Sequence, residues 1–350
     1  MFTIALRMLF GDRTKYLTLV LSLAFAAMLM NQQGAIFLGL LNQATGPLQN
    51  VNQPDLWVTD PDTQWVAEYR PLSDQSLARI RSLPGVAWAE PFFNGYAVTE
   101  LPEGPFKRVQ ILGLSRSTLV GRPPEVIKGR IEDLWIPDAI MVEESSAAKL
   151  GGVDIGDVIK INDRRAVIVG ICRARLGFES NAIIYTTFDN AISFSPTGRE
   201  NISYVLVKVK EEASLPEVQA RINDLRDVAA FTRQEFKDRS IEFIIVATGI
   251  GVNFGITIAL GFVVGLLLSA SVFYQFTIEN LRHFAVLKAM GAGPGRLTLT
   301  ADAIQSELSA FFPWQLMVGS FIATLLTIAL GSILSLRRVL RVSPGMVFGG

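Results

Sequence analysis

The 350-residue chain holds one cysteine and one histidine. The lone Cys172 excludes an intramolecular disulfide, and its plain reading is a small buried hydrophobe. The lone His283 excludes a histidine-based metal cluster and leaves Ser145-Ser146 without an imidazole to activate either hydroxyl. The paired acids Glu143-Glu144 and Glu211-Glu212 are neighbours in sequence, so their side chains point apart and form no evident acid–base dyad. A phosphate-binding loop is also missing. The nearest approach, Gly291-Ala292-Gly293-Pro294-Gly295-Arg296, lacks the lysine and the spacing that cradle phosphates, and reads as a glycine-rich turn. These absences leave no catalytic, cofactor-binding or metal-ligating residue to expect, and no nucleic-acid partner.

Charge is scarce as well: 18% of residues are charged, half are hydrophobic, and mean hydropathy is +0.36. Three stretches carry no charge at all: Tyr16 to Pro54, Phe243 to Ile278, and Leu308 to Leu336. A bilayer core of about 30 Å needs about 20 apolar residues of helix, and each stretch contains such a run. A helix buried in a soluble core keeps one polar face, which these runs lack. The chain therefore reads as an integral membrane protein with three clear helical spans: 16–41, 243–277 and 313–336.

Net charge is zero but unevenly spread. Asn42 to Glu242 holds 23 basic and 28 acidic residues, while the remainder holds 9 and 4. Those nine basic residues, from Arg7 to Arg341, sit near the ends of apolar runs, which marks the cytoplasmic side. The amino terminus is thus expected inside and the domain at 42–240 outside. Residues 1–15, with Phe2, Ile4, Ala5, Met8, Leu9 and Phe10 around Arg7, read as an interfacial amphipathic helix. Ala24-Phe25-Ala26 mimics a signal-peptide cleavage site, but the apolar run continues through Ile36 to Leu41, so an uncleaved anchor is expected.

The external domain reads as mixed α+β. Leu56 to Thr59 is a strand; Ser73 caps a helix with Leu77, Ile80 and Leu83 on its stripe; Pro84-Gly85 ends it and a strand starts at Val86. Short β-branched runs follow at Val109–Leu112, Ala139–Val142, Val158–Ile161, Ala166–Ile171 and Ile183–Tyr185. Ser145 to Leu150 reads as a short helix, Tyr204 to Val209 as a strand and Leu215 to Leu225 as a helix. The expected plan is a β-α-β lobe followed by a β-rich lobe.

Beyond the second span, Glu279 to Ala292 is amphipathic at helical spacing and stops at Gly291. The run Phe284-Ala285-Val286-Leu287-Lys288-Ala289-Met290-Gly291-Ala292 resembles the cytoplasmic coupling segment of MacB/FtsX-type ABC transporter permeases, most closely their DevC-like branch. The tail Arg337-Arg338-Val339-Leu340-Arg341-Val342-Ser343-Pro344 is similar to the family's closing pattern. The resemblance implies a bacterial inner-membrane permease subunit with a periplasmic domain, of an ABC-type export complex for a lipid, glycolipid or drug-like substrate. It implies a separate cytoplasmic ABC ATPase, a second permease protomer, a periplasmic adaptor of membrane-fusion type and an outer-membrane channel. Within the coupling segment at 278–297, it implies ATPase contact by Glu279, Arg282, Phe284, Leu287, Lys288 and Met290. FtsX-like relatives also suggest an alternative, a membrane-anchored regulator of a cell-wall hydrolase.

The family has four spans, and this sequence shows three. Residues 298–312 carry Asp302 and Glu307, each costing about 2.5–3.5 kcal/mol at a bilayer centre, so the segment reads as a remnant or a re-entrant piece. Three spans leave the basic tail at 337–350 outside, against its charge. An inverted last helix, a re-entrant half-span and an internally deleted, inactive permease are the three resolutions. In the second span, Gly251, Gly255, Gly261 and Gly265 are spaced for close helix packing, either between protomers or against the chain's own spans. That span is longer than a bilayer requires, so its outer part is expected to continue as a helix into the periplasm toward Phe231.

Overall fold

The computed structural model describes residues 13–101, 104, 106–195, 202–279 and 322. The chain divides into two compact units, Gly39–Gly249 and a second drawn from Met1–Leu38 with Ile250–Gly350. The expected span at 313–336, the segment at 298–312 and the basic tail lie outside the described residues, apart from Ile322, which is helical.

Helix α1 (Arg13–Ala44), whose residues up to Leu38 belong to the second of these units, contains the apolar stretch Ala24–Ala44. Neither it nor the last helix, Ile250–Glu279, contains a proline, and charge is confined to their ends, so nothing interrupts the backbone ladder. Within the last helix, Ile250–Leu268 is again long and apolar enough to cross a membrane. The two run antiparallel: Phe37 meets Phe254 at 5.2 Å between ring centroids, and a Cβ built on Gly261 would lie 3.4 Å from Met30 Cγ. Ala26, Met30 and Gly34 form the buried stripe of α1, at the four-residue spacing of one helix face.

The other unit takes in the end of α1 and continues with the short helix α2 (Gly46–Asn50) and strand β1 (Leu56–Thr59). Helix α3 (Asp74–Ser82) follows, and its N-cap Ser73 accepts a hydrogen bond from Ser76 N. Strand β2 (Val86–Glu100) is fifteen residues long and serves two structures. Its first half pairs with β9 (Tyr204–Val209), and its second half pairs with β3 (Lys107–Leu114). The remaining strands are β4 (Glu125–Lys128), β5 (Ala139–Glu143), β6 (Val158–Ile161), β7 (Arg164–Arg173), β8 (Ala182–Thr187) and β10 (Ala229–Thr232). A 3₁₀ turn (Ile131–Trp135) and helices α4 (Glu144–Lys149), α5 (Phe188–Phe194) and α6 (Leu215–Asn223) connect them.

The first lobe is a four-stranded antiparallel sheet in the order β10-β1-β9-β2, with α3 between β1 and β2 and α6 between β9 and β10. This is a split β-α-β arrangement, in which β9 lies between two strands that run parallel to each other. Pro91 sits in β2 opposite Val205, where β2 forms the sheet edge and the missing N–H breaks no ladder. Leu56 and Val58 join the apolar layer that includes α3 and α6; Trp57 between them joins the opposite core.

The second lobe closes on itself. β2 pairs β3, β3 pairs β8, β8 pairs β5, β5 pairs β7, β7 pairs β6, and β6 returns to β2. The ring is a six-stranded barrel filled by Val109, Ile111, Ile140, Val142, Ile161 and Ile168, among others. It is inserted between β2 and β9 of the first lobe, whose final β-α-β half the chain completes only afterwards.

One expectation fails here. The uncharged run at 243–277 is not one helix: α7 (Arg233–Val246) ends at Ala247, and α8 (Ile250–Glu279) begins after Gly249, whose φ is +70°. A left-handed residue ends a helix because the i→i−4 ladder cannot pass through it, and glycine adopts it without a Cβ clash. Hydropathy does not register such a break, since glycine is compatible with an apolar run.

Candidate functional site

The external domain is tied to both of its helical connections by one set of side chains. The indole N–H of Trp65 donates to Ala44 O at the end of α1, at 2.9 Å. Its ring stacks on Phe243 of α7 at 6.4 Å and meets Phe178 edge-on at 5.5 Å. A helix end leaves four carbonyls without partners, so an indole donor there satisfies one of them. Trp65 thus touches the last turn of α1 and the outer helix α7 together.

Two further sets of contacts strengthen this mount. Asn50 makes a two-way pair with the backbone of Arg175, donating to its carbonyl at 2.9 Å and accepting from its N–H at 2.8 Å. Gly46 lies so close to Leu176 that a Cβ would come within 2.5 Å of its carbonyl oxygen, so no other residue fits without backbone movement. On α7, Arg239 donates to Thr63 O at 2.9 Å and Pro61 O at 3.2 Å, and Ser240 Oγ accepts from Val66 N at 3.3 Å. Phe236, fully buried, packs against Trp57, Tyr204 and Phe231 with ring centroids 5.7–6.3 Å apart. The capping box of Thr232 and Glu235 fixes where α7 begins.

A buried polar network joins the lobes. Gln110 of β3 donates to Asn94 Oδ1 of β2 at 2.8 Å, Asn94 donates to Val66 O, and Tyr204 of β9 donates to the same carbonyl at 2.6 Å. Ser203 Oγ accepts from Asn94 N at 2.9 Å. Nearby, Ser115 donates to the buried Glu90 at 2.6 Å, and Arg81 reaches the same carboxylate at 3.3 Å. Such networks hold one relative placement of their elements, because breaking a member leaves a buried group unpaired. A crevice beside this network, lined by Trp65, Tyr96, Gln110 and Phe178, has room for a single water molecule.

The paired acids and the cysteine singled out in the sequence are engaged within the domain. Burial pushes the Glu143 carboxyl up, but hydrogen bonds from the hydroxyls and backbone N–H groups of Ser146 and Ser145 pull it net below its ordinary range. Glu143 caps α4, so Ser145-Ser146 are bound to a carboxylate, not poised as nucleophiles. Glu144 points the other way, to Arg173 at 3.4 Å. Burial raises the Cys172 thiol, which is fully inaccessible in the core. Among the described residues, no three His, Cys, Asp or Glu side chains gather as a metal set.

Of the residues singled out in the sequence, Gly261 and Gly265 are buried in the chain, and Gly261 faces Met30 of α1. Gly251 is half-buried, and Gly255 is exposed with open space where a Cβ would stand. Glu279 is the last residue of α8; Arg282, Phe284, Leu287, Lys288 and Met290 lie outside the described residues. The mount was not found from the sequence. Its signal was a tryptophan in a polar loop, and a single aromatic gives no hint of partners 21 and 178 positions away.

One indole thus joins the domain to the two helices that lead into and out of it. The chain belongs to the MacB-like periplasmic core domain family, which matches residues 17–225, and with it to the MacB/FtsX-type ABC transporter permeases. An uncharacterised ABC transporter permease of Mycobacterium tuberculosis is 27% identical over 308 residues, covering 80% of each chain. A similar permease of Mycobacterium bovis is 25% identical over the same length. Among solved structures, the periplasmic region of MacB from Actinobacillus actinomycetemcomitans matches 55% of this chain and 94% of its own, with 11% identity and a TM-score of 0.42. The extracellular domain of the transporter YknZ matches 52% and 100%, with 15% identity and a TM-score of 0.39.

Proposed function

We propose that this permease is the mechanical subunit of an ABC-type export complex. An ATPase bound at 278–297 would drive two permease protomers, and the spans would pass that motion to the external domain. The observation that carries this reading is the mount at Trp65, where the end of α1 and helix α7 meet one indole. A displacement of either connection reaches the domain without first being absorbed by a loose linker.

Barrel and sheet would then move as one body on the periplasmic side, and a periplasmic adaptor with an outer-membrane channel would carry away a lipid, glycolipid or drug-like substrate. In this reading the chain has three spans, its amino terminus in the cytoplasm of a bacterium, and membrane lipid around its spans. Glu279, Arg282, Phe284, Leu287, Lys288 and Met290 would form the ATPase contact.

The test is co-purification with the cognate ATPase from detergent-solubilised membranes. Intact chain should retain the ATPase, while Lys288→Glu and Leu287→Asp should each lose most of it. A well-folded intact chain that never retains an ATPase would overturn the reading.

A further inference from the structure

The water-sized crevice beside Trp65 holds more acceptors than its neighbours satisfy. Gln110 lines it and is only 3% exposed. Asn94 donates to Val66 O, so its Oδ1 must face Gln110, and Gln110 turns its amide N–H to that oxygen at 2.8 Å. Gln110 Oε1 therefore points away from Asn94, toward Gly177 on the crevice wall, where a Cβ would stand 3.4 Å from it. No donor among the described residues reaches that oxygen. Glu179 lines the same crevice, and only its Oε2 is engaged, by Asn181 at 2.7 Å and Arg108 at 3.3 Å. Two oxygens, one of them on a carboxylate, are left to a donor from outside the chain, and a buried acceptor without one is costly.

The other walls are aromatic: Trp65, Tyr96 and Phe178, with Phe178 edge-on to Trp65 at 5.5 Å. Ring faces and a carboxylate together attract a cation. A void that admits one water also admits a primary ammonium, which is of similar size and carries three donors, but not a trimethylammonium. The rim has the opposite preference. Arg108 lies 4.1 Å over the Tyr96 ring, and Lys149 donates to the carbonyl of Ser180, another lining residue, at 2.9 Å. A cation inside and an anion at the rim describe a zwitterion. Ala44 and Pro47 complete the lining, and Ala44 closes the apolar stretch Ala24–Ala44. A spanning helix that leaves hydrocarbon there passes next through the headgroup layer.

We propose that this crevice binds a primary ammonium, and that its source is the headgroup of an aminophospholipid such as phosphatidylethanolamine. The ammonium donates to Gln110 Oε1 and Glu179 Oε1, and the phosphate of the same headgroup meets Arg108 and Lys149. A lipid held there ties the external domain to the membrane surface beside the mount at Trp65. The site lies wholly within Gly39–Gly249, so it needs neither an ATPase nor a second protomer.

The test is native mass spectrometry of the full chain released from nanodiscs that contain phosphatidylethanolamine and phosphatidylcholine with the same acyl chains. The ethanolamine lipid should be retained about tenfold over the choline lipid, the difference expected for one charge-assisted hydrogen bond. Gly177→Ala places a methyl against Gln110 Oε1 at the edge of ordinary contact and so fills the void without strain, while Glu179→Gln removes the charge. Each should abolish most of the preference, and Glu217→Gln on α6 should leave it whole. Native exchange protection in β5 verifies that the variants fold. Ethanolamine added to the same nanodiscs separates the two sources of the ammonium: displacement of the lipid by the free amine would keep the ammonium site and assign it to a soluble ligand. Equal retention of the two lipids by the native chain, or a preference that either Gly177→Ala or Glu179→Gln leaves whole, would overturn the site and leave the crevice to an ordered water.

Discussion

Replacing Phe236 with alanine should release α7 from the external domain while leaving the barrel folded. Phe236 is fully buried and makes three aromatic contacts, with Trp57, Tyr204 and Phe231. Truncating such a ring costs about 3–5 kcal/mol, because the surrounding sheet cannot collapse into the void. Phe236→Leu keeps most of the apolar volume and forfeits mainly ring geometry, at about 0.5–1.5 kcal/mol for each pair. A domain in the middle of the ordinary range of about 5–15 kcal/mol survives either loss. The effect should therefore appear as local opening. Every 1.4 kcal/mol is tenfold, so hydrogen-exchange protection along α7 should fall by about 10²–10⁴ in Phe236→Ala and by less in Phe236→Leu. The assay is exchange with mass-spectrometric peptide mapping of the full chain in detergent, comparing α7 with β5 in the barrel. A change in α7 below about threefold would refute the claim that this ring holds the helix. Equal losses in α7 and β5 would refute the claim that α7 opens separately.

Glu143 should make the domain acid-sensitive: its folded pKa is depressed, so the stabilisation is present at neutral pH and lost as pH falls below about 4.3. Thermal melts from pH 7 to pH 3 should show a steeper decline for the native chain than for Glu143→Gln, and parallel curves would contradict this. Gly261→Leu should destabilise the α1–α8 pair by about 1–3 kcal/mol, since its Cβ would already touch Met30, whereas Gly255→Leu should be nearly neutral. Apparent melting temperatures in detergent compare the two, and equal effects would mean that the pair does not pack as described.

Local chemistry made much of the external domain legible. Ser73 could be read as a cap because a hydroxyl before an apolar stripe has few other uses, and it does accept from Ser76 N. The strand at Val158–Ile161 was legible as a short β-branched run, and the structure forms it over the same residues. Strand β10 was not, since Ala229-Ala230-Phe231-Thr232 is too short and too weakly β-branched to stand out. Nor was the length of β2, which runs through Pro91 as an edge strand and through Gly95 in close approach to the Phe93 ring. The coupling segment was legible only by resemblance, and most of it lies beyond the described residues.

By itself the sequence determined that this is a membrane protein with a domain set between apolar runs. Three uncharged runs, a lone cysteine and a lone histidine are properties of composition, and no folding can add a charge or a thiol. It also determined where short strands and caps lie, because those depend on neighbours within a few residues. Only the tertiary structure decided that β2 serves both a sheet and a closed barrel, that β9, α6 and β10 return to complete the first lobe, and that the run at 243–277 breaks at Gly249. It alone brought Trp65 to Ala44 and Phe243, and it alone set Gln110 beside Gly177. The reason is physical: pairing and packing energies act between residues far apart in the chain, and local pattern cannot encode which distant surface will meet which.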